Sequence, residues 1–363
     1  MNKVLFIFLL FVSVYSEEFR VTFVNPGKQG EIFWDQVCDF MKAAAEDLDI
    51  DLEILYSERD HLRMIELAAE VCKRQNKPSY LIIVNEKQAA GKMLQHAKKY
   101  NVKTFLLLNI LTKEQKKVHS TPRKKYSHWI GSLRPDNEKA GFDIAKSLCV
   151  RATKIIDGKI DAIGVAGDYV TPASMRRILG LKRLMKRYPQ IKLKQVIHSH
   201  WQQRKAYRQL KGLLRRYPKT KIIWTANDPM ALGAIQAAKE QGLKPGRNIF
   251  VGGLNWSKEA LEKIVTGDLI TSVGGHFMAG GWALVMLRDY HEGRDFAKIG
   301  LQQLVYMGTI DRSNVKKYLF YFGDQNWNKI NFRKFLRKKP QQKYQFTIQK
   351  LFKVVRENKD KFE

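Results

Sequence analysis

Five asparagines close or follow short apolar runs: Asn25 after residues 18–24, Asn85 after 80–84, Asn109 after 102–108, Asn227 after 222–225 and Asn255 after 249–254. A primary amide both donates and accepts hydrogen bonds. A set of amides therefore suits a small ligand that does the same, as a polyhydroxylated molecule does. Such a ligand also carries a face of C–H groups on which aromatic rings stack. Phe33 and Trp34 follow the first run, Trp256 follows Asn255, and His276 stands just after the run 269–273. One asparagine at the end of a run is an ordinary turn residue. Five in equivalent places form a pattern.

The elements that must position these residues are clearest at 221–242. Residues 222–225 read as a buried strand, and Ala226-Asn227-Asp228-Pro229 turns the chain sharply. Pro229 suits the first turn of a helix, where its missing N–H is not needed. The helix continues from Met230 and ends at Gly242, a residue fit for a C-cap. In open α/β sheets ligands bind at the carboxyl ends of strands. Asn227 is expected to reach the ligand, and Asp228 is expected to cap the helix.

The same strand–helix unit recurs along the chain. Strands are expected near 18–24, 51–56, 80–84 and 102–108, with helices opening at Phe33, His61 and Ala89. Residues 112–127 break the pattern and read as a polar, basic loop. A short strand at 128–132 leads to Arg134-Pro135-Asp136-Asn137, and a second alternation runs from 161 to 291. Short loops between strands and helices imply parallel, doubly wound sheets with right-handed crossovers. The expected fold class is α/β, with two doubly wound parallel-sheet lobes joined by several crossovers and a basic C-terminal extension.

In order and residue type these segments resemble the type I periplasmic sugar-binding proteins, the ribose- and galactose-binding family. That family ends its second lobe with a strand, an Asn-Asp turn and a Met/Ala-rich helix, as residues 222–242 do. The resemblance covers roughly Phe19 to Asn314 and implies that Phe33, Trp34, Asn85, Asn109 and Asn227 bind ligand. The family usually has Asp where Asn255 stands and often Gln where His276 stands. It also implies an arginine within Met175-Arg176-Arg177-Ile178-Leu179-Gly180. The spacing does not decide between the two arginines, and Arg176 is preferred. The candidate ligand-binding set is thus Asn25, Phe33, Trp34, Asn85, Asn109, Arg176, Asn227, Asn255, Trp256 and His276. By the same resemblance the chain closes two lobes on a sugar-like molecule, as a monomer, and presents it to an inner-membrane ABC permease or to a chemoreceptor or sensor kinase.

The N-terminus fits export. A cationic start at Lys3 precedes an apolar run over 4–14, and Val14-Tyr15-Ser16 puts small residues where a signal peptidase reads. Residues 1–16 are read as a signal peptide and the mature chain as periplasmic. The lobes are expected at 17–133, completed by about 276–300, and at 134–275. The crossover and basic extension follow at 301–363, with a last helix near 347–356 expected to pack on the body. Cys38, Cys72 and Cys149 lie in apolar helical contexts and are expected to be buried and inert.

The net charge is +30. Lys and Arg are spread along helices, with no helix-turn-helix, zinc-finger or RNA-binding signature, so no nucleic-acid partner is expected. No P-loop, G-x-S-x-G elbow or dinucleotide fingerprint is present, so neither an enzyme nor a cofactor is expected. The runner-up is an exported α/β hydrolase acting on a small polar substrate, which would need a nucleophile–base pair. His198 and His200 share a face if the strand there runs to 200, which would begin a metal site. No third ligand is placed, and no metal is expected.

Overall fold

The computed structural model describes residues 19–359. The expected signal peptide at 1–16 lies outside them. The first half runs β1 (Arg20–Asn25), α1 (Ile32–Asp47), β2 (Asp51–Tyr56), α2 (His61–Lys73), β3 (Tyr80–Ile83), α3 (Ala90–Tyr100), β4 (Thr104–Leu107), α4 (Lys113–His119) and β5 (Trp129–Pro135). The second runs α5 (Asn137–Thr153), β6 (Ile160–Ala166), α6 (Pro172–Met185), β7 (Ile191–His198), α7 (Gln203–Arg216), β8 (Thr220–Thr225), α8 (Asp228–Glu240), β9 (Phe250–Asn255), α9 (Lys258–Thr266) and β10 (Thr271–Gly274). Then come α10 (Ala279–His291), β11 (Gln302–Val305), β12 (Gly308–Asp311), α11 (Val315–Phe322) and α12 (Ile348–Lys359).

Two six-stranded sheets result, ordered β11-β5-β4-β3-β1-β2 and β12-β10-β9-β8-β6-β7. All pairings are parallel except β10 with β12. Every residue of β3 and β4 is buried, as expected of strands covered by helices on both faces. The chain passes between lobes after β5, between β10 and α10, and between β11 and β12. Helix α10 returns to the first lobe and packs against α1. Gly280 and Gly281 permit that approach: a Cβ there would lie 2.5 Å from Met41 Cγ and 2.6 Å from Phe40 Cδ1. Close helix packing, not phosphate binding, explains this glycine pair.

The expected loop at 112–127 contains α4. Thr112 and Gln115 form a reciprocal capping box at its start, which stabilises a short helix despite its polar sequence. Cys38, Cys72 and Cys149 are buried free thiols.

The basic extension wraps the first lobe. Phe346 stacks on Trp282 with centroids 4.9 Å apart, and Trp327 and Phe332 meet Phe40 edge-on. Helix α12 buries Leu351, Val354 and Val355, so its apolar face lies against the body. One buried ionic knot fixes the wrap. Asp289 on α10 accepts from Arg337 Nε at 3.3 Å, Tyr344 Oη at 2.8 Å and Arg294 Nε at 2.7 Å.

Removing Asp289 would leave the buried Arg337 uncompensated, so Asp289→Ala should cost about 3–5 kcal/mol of stability. Arg337→Met leaves Asp289 two partners and should cost less. Urea unfolding of both variants measures the difference.

Candidate functional site

The carboxyl ends of both sheets face each other across a cleft. Its outer chamber has a volume of about 630 Å³ and is lined by Glu31, Phe33, Arg59, Asp168, Trp201 and Asn255 among others. A smaller inner chamber of about 70 Å³ continues to Trp34, Asn109, Thr171, Arg177, Asn227 and His276. The lobes touch here: Thr171 Oγ1, at the start of α6, donates to Glu86 Oε1 of the first lobe at 3.1 Å.

Of the candidate residues, Phe33, Trp34, Asn109, Asn227, Asn255 and His276 line these chambers. Asn25 and Asn85 do not. Asn25 is fully buried, donates to Cys38 Sγ at 3.2 Å and accepts from Gly27 N at 2.8 Å. Asn85 donates to Ile110 O and Gln115 Oε1 and accepts from Ala90 N. Both spend their amides on the loops that carry Phe33 and Glu86 and have none left for a ligand. Trp256 also lies outside. Residues Asn255 and Trp256 have φ of 147° and 64°, which turns the indole behind the crossovers. There Trp256 Nε1 donates to Ser272 O at 3.0 Å. Gly274 and Gly308 exist to admit the ring: a Cβ on either would come within 2.6 and 2.9 Å of it.

The choice between the two arginines is corrected. Arg176 is exposed and faces Glu138 at 3.4 Å. Arg177 is buried and enters the inner chamber. Its Nε donates to Asn137 Oδ1 at 2.8 Å, Nη1 to Ala226 O at 2.7 Å and Nη2 to His276 Nε2 at 3.3 Å. The sequence held the signal: Arg177 shares a helix face with Ser174, Leu181 and Leu184, all buried.

The turn at 226–229 is corrected as well. Asn227 is the N-cap: its Oδ1 accepts from Met230 N at 3.0 Å, and its Nδ2 donates to Trp201 O at 3.1 Å. Asp228 caps nothing. Fully buried, it accepts from Ser257 N at 2.9 Å, Ser257 Oγ at 3.2 Å and Ser272 Oγ at 2.8 Å. Burial pushes its pKa up to about 6 against the pull of these donors.

Arg59, Glu31 and Glu86 join the site without having been anticipated, since side chains 27 and 28 residues apart leave no local pattern. Arg59 Nε donates to Glu31 Oε2 at 2.8 Å and Nη1 reaches Glu86 Oε1 at 3.5 Å. Burial works against the Arg59 charge, but Glu31 and Glu86 outweigh it and hold the guanidinium above its usual pKa. Burial raises the Glu86 carboxyl. On the opposite wall Trp201 lies under Arg177, whose guanidinium carbon is 5.7 Å from the ring centroid.

Arg177 has a different environment. Its three partners are neutral, and burial brings its pKa down to about 9. His276, stacked on Phe33 at 4.6 Å, is held well below its ordinary pKa by burial and by Arg177. The imidazole is neutral. Because a guanidinium only donates, His276 Nε2 must accept and Nδ1 carries the proton. Among the described residues neither His276 Nδ1 nor Trp34 Nε1 has a partner.

The strand carrying His198 stops there, and His200 at φ 51° turns toward Asp168, 3.3 Å away. His198 stacks under Tyr169 at 3.7 Å. Among the described residues no group of three potential ligands could hold a metal.

The periplasmic binding protein domain family matches residues 21–309. A crystal structure of a periplasmic sugar-binding protein from Pseudomonas fluorescens is similar, with a TM-score of 0.84 and 37% identity over 92% of this chain and 99% of that one. The galactofuranose-binding protein YtfQ of Escherichia coli is 24% identical over 185 residues, 50% of this chain and 54% of that protein. A xylitol-binding protein of Mycolicibacterium smegmatis is 26% identical over 141 residues, 39% of this chain and 38% of that protein. The chain thus aligns with only about half, or less, of the length of these two curated relatives.

The Asp228 carboxyl sets a pH dependence. With its pKa raised to about 6 when folded, the native state holds a proton that the unfolded chain releases near pH 4. Its contribution is therefore full below pH 4 and is lost as pH rises to about 6, amounting to about 3 kcal/mol. Stability of Asp228→Asn relative to the unmodified chain should rise by that amount between pH 4 and pH 7, measured by urea midpoints.

Proposed function

The chain belongs to the periplasmic binding protein domain family, and on that premise we propose that it is an exported receptor closing on one sugar-like molecule. The family is one of binding proteins, so the role is binding without catalysis. The observation that carries the reading is the inner chamber, where donors, acceptors and ring faces converge from both lobes. Phe33 comes from the first lobe and Trp201 from the second, a pair suited to the two faces of a sugar ring. Asn255 offers its amide and Asn109 its Oδ1, since Asn109 Nδ2 is given to Glu86, while Asn227, engaged with Met230 and Trp201, shapes the wall. His276 Nδ1 and Trp34 Nε1 supply donors that lack acceptors within the described residues, and a buried donor without a partner costs about 1–3 kcal/mol. Hydroxyl and ring oxygens of a sugar are acceptors of the kind needed.

Residues 1–16 serve as the signal peptide, and the mature chain, from about Glu17, acts in the periplasm. Its partner is an inner-membrane ABC permease, or a chemoreceptor or sensor kinase that reads the closed form. The receptor works as a monomer. Asn255 and His276, where the family resemblance leads one to expect Asp and Gln, set which hydroxyl pattern is accepted, because an unpaired buried polar group rejects the wrong one.

A thermal-shift screen of the mature chain against pentoses, hexoses, polyols and amino acids tests the reading. A ligand at 100 times its Kd adds about 2.7 kcal/mol, so a sugar or polyol should raise Tm clearly. A response confined to amino acids would refute it. With the responding sugar, Trp201→Ala and Phe33→Ala should weaken binding by about tenfold or more. Arg177→Ala should abolish binding and Arg176→Ala should leave it unchanged, measured by calorimetry.

A further inference from the structure

Residues 169–227 hold sixteen Lys or Arg and not one Asp or Glu. These 59 residues carry more than half of the net charge of +30. The fold gathers them at one place. They run through α6, β7 and α7, and β7 is the outermost strand of the second sheet. Helix α6 packs beside α5, and α7 packs beside α8. The apolar stripe of α7, Ala206, Leu210, Leu213 and Leu214, is buried, so its cations point outward.

Little covers this charge. The carboxylates that reach the stretch among the described residues include Glu138 on Arg176 and Arg183, Asp161 near Lys194, and Glu240 on Lys211. Lys182, Lys186, Arg187, Arg215, Arg216 and Lys219 are exposed, with no ion pair among the described residues. Like charges at this density repel one another. An opposing negative surface would relieve that repulsion.

We infer that this edge docks the protein on a membrane surface of anionic phospholipid headgroups. Two observations favour lipid over an acidic protein. The exposed apolar side chains of the stretch, Tyr169, Val170, Met175 and Leu179, all precede Lys182, and between Lys182 and Lys221 none is exposed, so this far end lacks the buried anchor around which specific protein interfaces are built. Long, flexible cations suit a fluid sheet of headgroups, each contributing independently. The edge also leaves the cleft free. Strands of the second sheet point their carboxyl ends at the cleft, so the end of α6, the start of β7 and the end of α7 lie at the lobe's far end. This inference does not depend on what the cleft binds.

The test is co-sedimentation of the mature chain with phosphatidylcholine vesicles, pure or containing roughly a third phosphatidylglycerol. The unmodified chain should bind only the anionic vesicles and be released between about 0.05 and about 0.5 M salt. The variant K186Q/R187Q/R215Q/R216Q should partition about tenfold or more less well. K73Q/K92Q/K98Q/K99Q removes the same charge from the first lobe and should lose less than about twofold. Unchanged Tm in both variants establishes that they are folded. No binding to anionic vesicles, or equal loss in both variants, would overturn the inference. Tighter binding to polyglutamate than to the vesicles would also overturn it and assign the edge to an acidic protein.

Discussion

A single buried carboxylate holds the floor of the second lobe together. Asp228 takes three hydrogen bonds from Ser257 and Ser272, and so ties the ends of β8, β9 and β10 into one unit. The tie fixes a strained turn. Asn255 and Trp256 both have positive φ, a conformation costing about 1–3 kcal/mol per residue outside glycine. The strain has a consequence for the cleft. It sends the Asn255 amide forward and the Trp256 ring back, where the ring wedges against Gly274 and Gly308 of two crossovers. Asn227, next to Asp228, is aimed by the same turn. The Asp228 node therefore sets both the cleft wall and the packing of the segments that cross between the lobes.

The two halves of the cleft treat charge differently. In the first lobe Arg59 is neutralised by Glu31 and Glu86. In the second, Arg177 is surrounded by an amide, a carbonyl and a neutral imidazole. The Asp228 carboxylate pulls on Arg177 from a distance but does not outweigh its burial, and a buried cation so weakly compensated is costly. Thr171 of the second lobe and Glu86 of the first are hydrogen-bonded across the cleft, so the lobes touch beside the site. The extension holds the first lobe through Asp289 and the aromatic stack on Trp282, and its α11 also packs on α9 and sets Tyr318 against Trp256 of the second lobe.

The architecture was legible because strand and helix periods differ and the alternation recurs. The resemblance placed Phe33, Trp34, Asn109, Asn227, Asn255 and His276 near one another, and the fold brings them to one cleft. The failures have physical causes. Asn25 and Asn85 stand at strand ends like the others, but an amide that satisfies its own loop cannot be told from one left free. Trp256 is turned away by two backbone angles that the sequence does not announce. Arg177 could have been chosen by asking which arginine shares a face with Leu181 and Leu184. Arg59 and Glu86 are joined only by folding. Residues 112–127 read as a loop because α4 is polar apart from an exposed Val118, and only its capping box marks it as a helix.

Closure on a sugar is the central claim, and the distance between lobes is its most direct measure. Spin labels at Lys92→Cys on α3 and Lys182→Cys on α6 report it, and the three native thiols are buried and out of reach of labelling. Pulsed electron resonance with and without a saturating mixture of pentoses, hexoses and polyols gives the distance distribution. Collapse of a broad distribution to one shorter distance upon adding the mixture is the predicted result. The same distribution in both samples would contradict the account.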